Sequence, residues 1–354
     1  MSSRATWPSF SLLYFANAPA EAEIGKFDLF RASSRFADEH DFEAVWIPER
    51  HFHAFGGIFP NPSLMAVVLA ESTRRIRIRA GSVVMPLHHP VRVAEEWAVV
   101  DNLSQGRVDI AFAVGWNPND FIIAPERYKG RHRVTMEGIE AVRRMWRGET
   151  FEGENGEGQR VKIKVHPLPL QPELNVWLTC SGGVARFREA GAAGFNIITA
   201  LLFQKIDDLR EKIAAYREAR AQAGHDGPGQ VTLMLHAYVG TDEARVKEAV
   251  RAPFKRYLES SADLWQVGEA RLMDLSERKK ADMLEFAFER YYQQTALMGS
   301  VESCRSMVAA VHAAGVDEVA CLIDFGLPFD QIMEGMHHLD VLRRAQPSSQ
   351  PSTP

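Results

Sequence analysis

Short apolar runs rich in β-branched or aromatic residues alternate along the chain with longer amphipathic stretches. Residues 9–16, 44–48, 75–85 and 108–114 are compact and apolar, which predicts strands. Residues 25–40 bring Phe27, Phe30, Ser34 and Ala37 near one face, which predicts a helix. Further helices are expected over 62–72, 90–103 and 131–147. The first of these begins at Pro62, where a missing N–H does no harm. The rhythm breaks at 149–165, a Gly/Glu-rich stretch ending in alternating Val161, Ile163 and Val165, which predicts an inserted surface hairpin. Strands resume at 176–179, 196–199, 231–239 and 318–324, with helices over 206–223, 241–259, 301–314 and 329–344. The polar stretch 260–297 is too long for an ordinary connection and is read as largely helical.

A repeat of about eight βα units predicts an α/β fold, the parallel (β/α)8 TIM barrel rather than an open sheet. A single barrel domain is expected over 1–344, with insertions at about 149–165 and 260–297. The Pro/Ser/Gln-rich residues 345–354 are expected to be a disordered tail.

Composition narrows the function classes. The 354 residues are 46% hydrophobic and 25% charged, a globular balance that allows a sizeable core. The net charge of -5, with no extended basic run, gives no support for nucleic-acid binding. No stretch approaches the ~18 apolar residues of a membrane helix, and no signal peptide is read at the N-terminus. Three cysteines without a CxxC pair make no disulfide framework, so a cytoplasmic location is expected.

In such a barrel the chemistry sits at the C-terminal ends of strands. Those positions hold Glu49-Arg50-His51-Phe52-His53, then Met85-Pro86-Leu87-His88-His89, then Gly115-Trp116-Asn117-Pro118-Asn119-Asp120. Further on they hold Cys180-Ser181-Gly182-Gly183 and Asp324-Phe325. Ser181-Gly182-Gly183 opens a helix and suits either a phosphate or an ordinary βα turn. No GxGxxG fingerprint or Walker-type loop occurs. His51 and His53 suit rim hydrogen bonds better than a metal pair, and His88-His89 suits helix entry. His236, inside a predicted strand, reads as a core histidine with a satisfied hydrogen bond unless it points into the barrel mouth. Cys180 reads as a small buried residue or a cofactor contact, and Trp116 as rim packing or the wall of a flat ligand.

Three blocks in order carry a resemblance. They are Trp46-Ile47-Pro48-Glu49-Arg50-His51-Phe52, then Gly81-Ser82-Val83-Val84-Met85-Pro86, then Asp101-Asn102-Leu103-Ser104-Gln105-Gly106-Arg107, with Gly115-Trp116 following. Together they resemble bacterial luciferase and its flavin-dependent relatives over nearly the whole chain. The segments 231–239, 253–258 and 318–326 are similar to the subgroup found in polyketide and nonribosomal-peptide assembly lines.

The resemblance implies a two-component monooxygenase. A flavin reductase would supply reduced FMN, which with oxygen would form a flavin hydroperoxide. The substrate, a small molecule or a carrier-tethered intermediate, would be hydroxylated or undergo Baeyer–Villiger oxidation. It implies a non-proline cis peptide at Gly81–Ser82 beneath the flavin ring, with Val83, Gly115, Trp116 and Asn117 around it. It maps the phosphate contacts onto Cys180, Ser181, Gly182 and Gly183. It makes His51 the proton-transfer group and Arg50 an anion stabiliser, implies no metal, and implies a homodimer through the helices at 62–72 and 90–103. Two positions depart from luciferase: Arg50 replaces the first histidine of a pair, and Val114 replaces a phosphate-binding arginine. Three other readings compete: a deazaflavin-dependent oxidoreductase of the same fold, a metal-dependent barrel hydrolase built on His51, His53 and Asp324, and a flavin-binding accessory protein without turnover.

Overall fold

A computed structural model describes residues 7–15, 25–53, 57–201, 204–264 and 276–345. Strand and helix alternate as the hydrophobic pattern requires. The elements are β1 (Ser9–Leu13), α1 (Asp28–Glu39), β2 (Ala44–Ile47), α2 (Pro62–Ser72), β3 (Arg77–Val84), α3 (Pro90–Ser104), β4 (Val108–Ala113) and α4 (Arg131–Trp146). Then follow β5 (Phe151–Glu154), β6 (Arg160–Ile163), β7 (Val176–Thr179), α5 (Val184–Ala192), β8 (Asn196–Ala200), α6 (Ile206–Gln222) and β9 (Val231–Gly240). The rest are α7 (Glu243–Leu264), α8 (Glu277–Gln294), β10 (Leu297–Ser300), α9 (Val301–Ala313), β11 (Glu318–Leu322) and α10 (Phe329–Arg344). Among the described residues, no helix is long and apolar enough to cross a membrane.

The chain divides into two compact units. One comprises residues 30–179 and 195–197. In it β2, β3, β4 and β7 pair in that order, all parallel. Their inward side chains are large. The Arg79 guanidinium lies between the rings of Trp46 and Trp177, 4.9 and 4.6 Å from their centroids. Its Nε donates to Asp109 Oδ2 at 2.8 Å, and Arg77 Nε donates to the same oxygen at 2.6 Å. Asp109 and Arg79 are both fully buried, which is tolerable for charges only because they are paired. The expected hairpin is present as antiparallel β5–β6.

The other unit comprises residues 1–29, 180–194 and 198–354. In it β1, β11, β9 and β10 pair in that order, again parallel. Ser11 Oγ donates to Glu318 Oε1 at 2.6 Å inside the β1–β11 pair, so two buried polar groups satisfy each other. Helices α7 and α8 zip together through Lys247–Glu289 at 2.8 Å and Lys255–Glu285 at 3.0 Å, over a cluster of Phe254, Tyr257, Phe288 and Tyr292.

Two expectations are corrected here. The stretch 260–297 is not helical to its end: Leu297 opens β10, which runs to Ser300 against β9. The run Leu297-Met298-Gly299 is too short to show a period of its own. The expected first strand ends at Leu13 rather than 16, and residue 16 lies outside the described residues, as do 265–275 and 346–354 of the expected insertion and tail.

Candidate active site

Within the unit of residues 30–179, polar groups collect where β2, β3, β4 and β7 end. Glu49 follows β2 and is buried, 7% exposed. Its Oε1 accepts from His51 Nε2 at 2.8 Å and from His88 Nε2 at 2.7 Å. Its Oε2 accepts the Val84 amide at 2.7 Å. Burial works against ionisation of Glu49. The bonds from both histidines, the charge of His88 and the Val84 amide outweigh it, so the carboxyl is held below its usual range. His88 shows the mirror effect: burial lowers it, but its bond to Glu49 and the charges of Glu49 and Glu96 leave it raised. A carboxylate only accepts, so both rings carry a proton on Nε2.

Gly81 sits in β3 directly over the Trp46 ring. A Cβ at Gly81 would lie 3.1 Å from Trp46 Cβ and 3.2 Å from Cε3, so no side chain fits there without a shift. The Gly81–Ser82 peptide is cis. The β3–β4 register slips between Gly81 and Val83, which leaves Ser82 without a ladder partner. Ser82 Oγ instead meets Thr179 Oγ1, at the end of β7, at 2.5 Å. Val83 is buried.

After β4 the chain turns at Gly115, whose φ of +77° and nearby Phe121 ring both favour glycine. Trp116 is exposed. Asn117 Oδ1 accepts the Asn119 amide at 3.1 Å, capping a short 3-10 turn, and its Nδ2 donates to Asp120 Oδ1 at 2.8 Å. Burial pushes the Asp120 carboxyl up, against the charges of His51 and Arg50 and the Asn117 bond, and Glu49 adds to the rise. Glu49, His51, Arg50, Asp120 and Asn117 therefore form one electrostatic group.

Of the residues expected at the site, His51, Arg50, Gly81, Ser82, Val83, Gly115, Trp116 and Asn117 lie in this one unit. Sequence reasoning gave no site role to Glu49, His88 or Thr179. Glu49 was visible as an acid ending a strand beside Pro48, but its hub position depends on Val84 and His88, 35 and 39 residues away. His89, as expected, opens a helix: its Nδ1 accepts the Val91 amide at 3.3 Å at the start of α3.

Cys180, Ser181, Gly182 and Gly183 lie in the other unit, in the turn before α5. The Cys180 thiol is buried and pushed up to about 12 by that burial. Ser181, Gly182 and Gly183 are exposed, and the first turn of α5 has no side-chain cap. The expectation that His236 satisfies its hydrogen bond is corrected. The ring is buried in β9, yet its Nε2 has no partner. Four aromatic side chains surround it edge-on: Phe254, Tyr257, Tyr291 and Phe325. Asp324, proposed by one competing reading as a metal ligand, accepts the Phe15 amide on both oxygens at 2.8 and 3.1 Å. Among the described residues, no group of three or more His, Cys, Asp or Glu has a geometry that could hold a metal ion.

The family model for luciferase-like monooxygenases matches residues 9–318. The oxygenase component of the flavin-dependent trigonelline monooxygenase of Acinetobacter baylyi is 26% identical over 312 residues, covering 84% of this chain and 83% of that protein. A monooxygenase of Streptomyces bottropensis superposes with a TM-score of 0.78 at 22% identity, over 94% of this chain and 98% of that one. The oxygenating constituent of 3,6-diketocamphane monooxygenase from Pseudomonas putida, a type II Baeyer–Villiger enzyme solved with FMN, gives 0.75 at 17% identity, over 96% and 97%. These likenesses show the fold class to be the expected (β/α)8 TIM barrel. With the family model spanning most of its length, the chain belongs to the luciferase-like, flavin-dependent monooxygenase family.

Proposed function

We propose that the chain is the oxygenating component of a two-component FMN monooxygenase, fed with reduced FMN by a separate reductase. One observation carries the reading: a buried carboxylate, Glu49, fixes two histidine rings and accepts the amide of Val84, two residues past Ser82 of the Gly81–Ser82 peptide. The group fits what is present. Gly81 offers a flat backbone surface, and the uncapped amides at Ser181–Gly183 and the start of α5 are donors suited to a phosphate. Ser82, Val83, Gly115, Trp116 and Asn117 would line the ring, and Cys180, Ser181, Gly182 and Gly183 would hold the phosphate.

When bound, reduced FMN with oxygen supplies the oxygen atom delivered to an organic substrate, by hydroxylation or by Baeyer–Villiger insertion. This chain's residues govern protons and charge. Glu49 engages His51 Nε2, so Nδ1 is the ring atom that takes and returns a proton. Arg50 stays cationic and stabilises negative charge developing on oxygen. Ser82 is held against Thr179, which keeps its hydroxyl out of the ring's way.

The assembly proposed is a homodimer through α2 and α3. Helix α2 (PSLMAVVLAES) is apolar on almost every side, yet Leu64 is 65% exposed. Val99 and Leu103 of α3 are exposed beside it at 42% and 43%. An all-round apolar helix calls for cover on its open side.

The reading is tested by mixing the reduced-FMN-loaded protein with oxygen and following flavin reoxidation. The expected result is reoxidation slower than that of free reduced FMN, accelerated by substrate. Reoxidation at the free-flavin rate, or retention of a reduced deazaflavin but not FMN, contradicts it.

A further inference from the structure

Ser82 and Thr179 meet across a strand. In the unit of residues 30–179 and 195–197, β3 and β7 both pair with β4, so they run two strand spacings apart, about 9–10 Å. Two short side chains close such a gap only where the strand between them is bare. Asp109 of β4 meets Arg79 on the inward side, and alternation puts Ala111 and Ala113 on that same side. At this level β4 therefore raises only methyl groups. Ser82 can lean across them because the slip between Gly81 and Val83 takes it out of the ladder. Its Oγ reaches Thr179 Oγ1 at 2.5 Å.

The two hydroxyls have different surroundings. Ser82 is 9% exposed, whereas Thr179 is exposed at the end of β7. Among the described residues, Thr179 is the one hydrogen-bond partner of the Ser82 hydroxyl. Without the Thr179 hydroxyl, Ser82 would keep a polar group that has to turn to solvent for a partner. A flat ring lying against Gly81 and Ser82 would shut that group in unpaired. The penalty is asymmetric: a buried polar group that loses its partner costs more than the bond contributed, whereas removing both partners together costs little.

Resting on the flavin reading above, we propose that Thr179 is a positioning residue for flavin binding. Its hydroxyl occupies the Ser82 hydroxyl, so the backbone at Gly81 and Ser82 meets the ring without a loose polar group. Thr179 acts through Ser82, not by a contact of its own. It lies 97 residues from Ser82 and outside the blocks that carry the family resemblance.

The test is a double-mutant cycle on the whole chain, read by anaerobic titration with reduced FMN. It compares wild type, Thr179→Val, Ser82→Ala and the two together, with Thr179→Ser as the rescue. Valine keeps the shape of threonine and loses the hydroxyl; serine keeps the hydroxyl. Thr179→Val should weaken reduced FMN by about fivefold or more, and Thr179→Ser should bind within about twofold of wild type. Added to Ser82→Ala, the same Thr179→Val change should make no more than about a twofold difference. Urea unfolding reads the coupling without flavin: Thr179→Val should lower the midpoint in the wild-type background and not in the Ser82→Ala background. Wild type that binds reduced FMN while Thr179→Val binds it as tightly or more tightly overturns the positioning role and leaves the flavin reading standing. So does an equal loss in both backgrounds, which would make Thr179 a contact in its own right, or failure of Thr179→Ser to restore binding. Wild type that binds no reduced FMN, with the coupling present in urea, overturns the flavin reading and the role built on it, but not the bond between the two hydroxyls.

Discussion

Glu49 holds two histidine rings by hydrogen bonds, and this has consequences at the scale of single residues. Its carboxyl is held below its ordinary 4.5, so its contribution to stability is complete above that pH and fades as pH falls through the folded value. His88 is raised above its ordinary 6.5, so its contribution is complete below that pH and fades as pH rises through the folded value. This pair should therefore stabilise most between pH 4.5 and 6.5. In melting temperatures recorded against pH, His88→Gln should flatten the alkaline decline; an unchanged alkaline limb would remove His88 from it. His51 is the residue asked to move protons. His51→Ala should cut turnover by about 10²–10⁴-fold while reduced-FMN affinity holds, and unchanged turnover would free His51 of that role. His51 and Arg50 were picked out because they follow a predicted strand and stand in the block that resembles luciferase, and their roles are proposals. Glu49, His88 and Thr179 were not, because their roles arise from contacts across 35 to 97 residues. The unsatisfied Nε2 of His236 was hidden for a similar reason: its aromatic cage is assembled from α7, α8 and the residue Phe325.

At the scale of elements, β3 supports the site it carries. Its Arg79 is clamped between two indoles and paired with Asp109, and two residues on, Gly81 lies against Trp46. Asp109→Ala would leave buried Arg79 without its partner and should destabilise the fold by about 3–5 kcal/mol, measurable by urea unfolding. A loss under about 1 kcal/mol would mean that Glu43, 3.5 Å from Arg79, or water compensates. Most elements could be read from periodicity: α2 and α10 run between the expected residues, and the hairpin β5–β6 lies inside the expected insertion. β10 could not, since Leu297–Ser300 owes its extended form to pairing with β9 rather than to any local preference.

At the scale of the whole molecule, the βα alternation and the ordered blocks around His51, Gly81 and Asp101 were enough to identify the fold class and family. Oligomeric state is not written in any period, but the all-round apolar α2 exposes it to test. Leu64→Glu should convert a dimer into monomer by sedimentation velocity; a wild type already monomeric at micromolar concentration would remove the proposed interface. The account as a whole depends on the backbone at Gly81 and Ser82 serving as a seat for flavin. Anaerobic titration with reduced FMN measures that directly. Saturable binding to wild type, sharply weakened in Gly81→Ala because the added methyl must displace Trp46, is the predicted result. Absence of binding to wild type, or equal binding to both proteins, would contradict it.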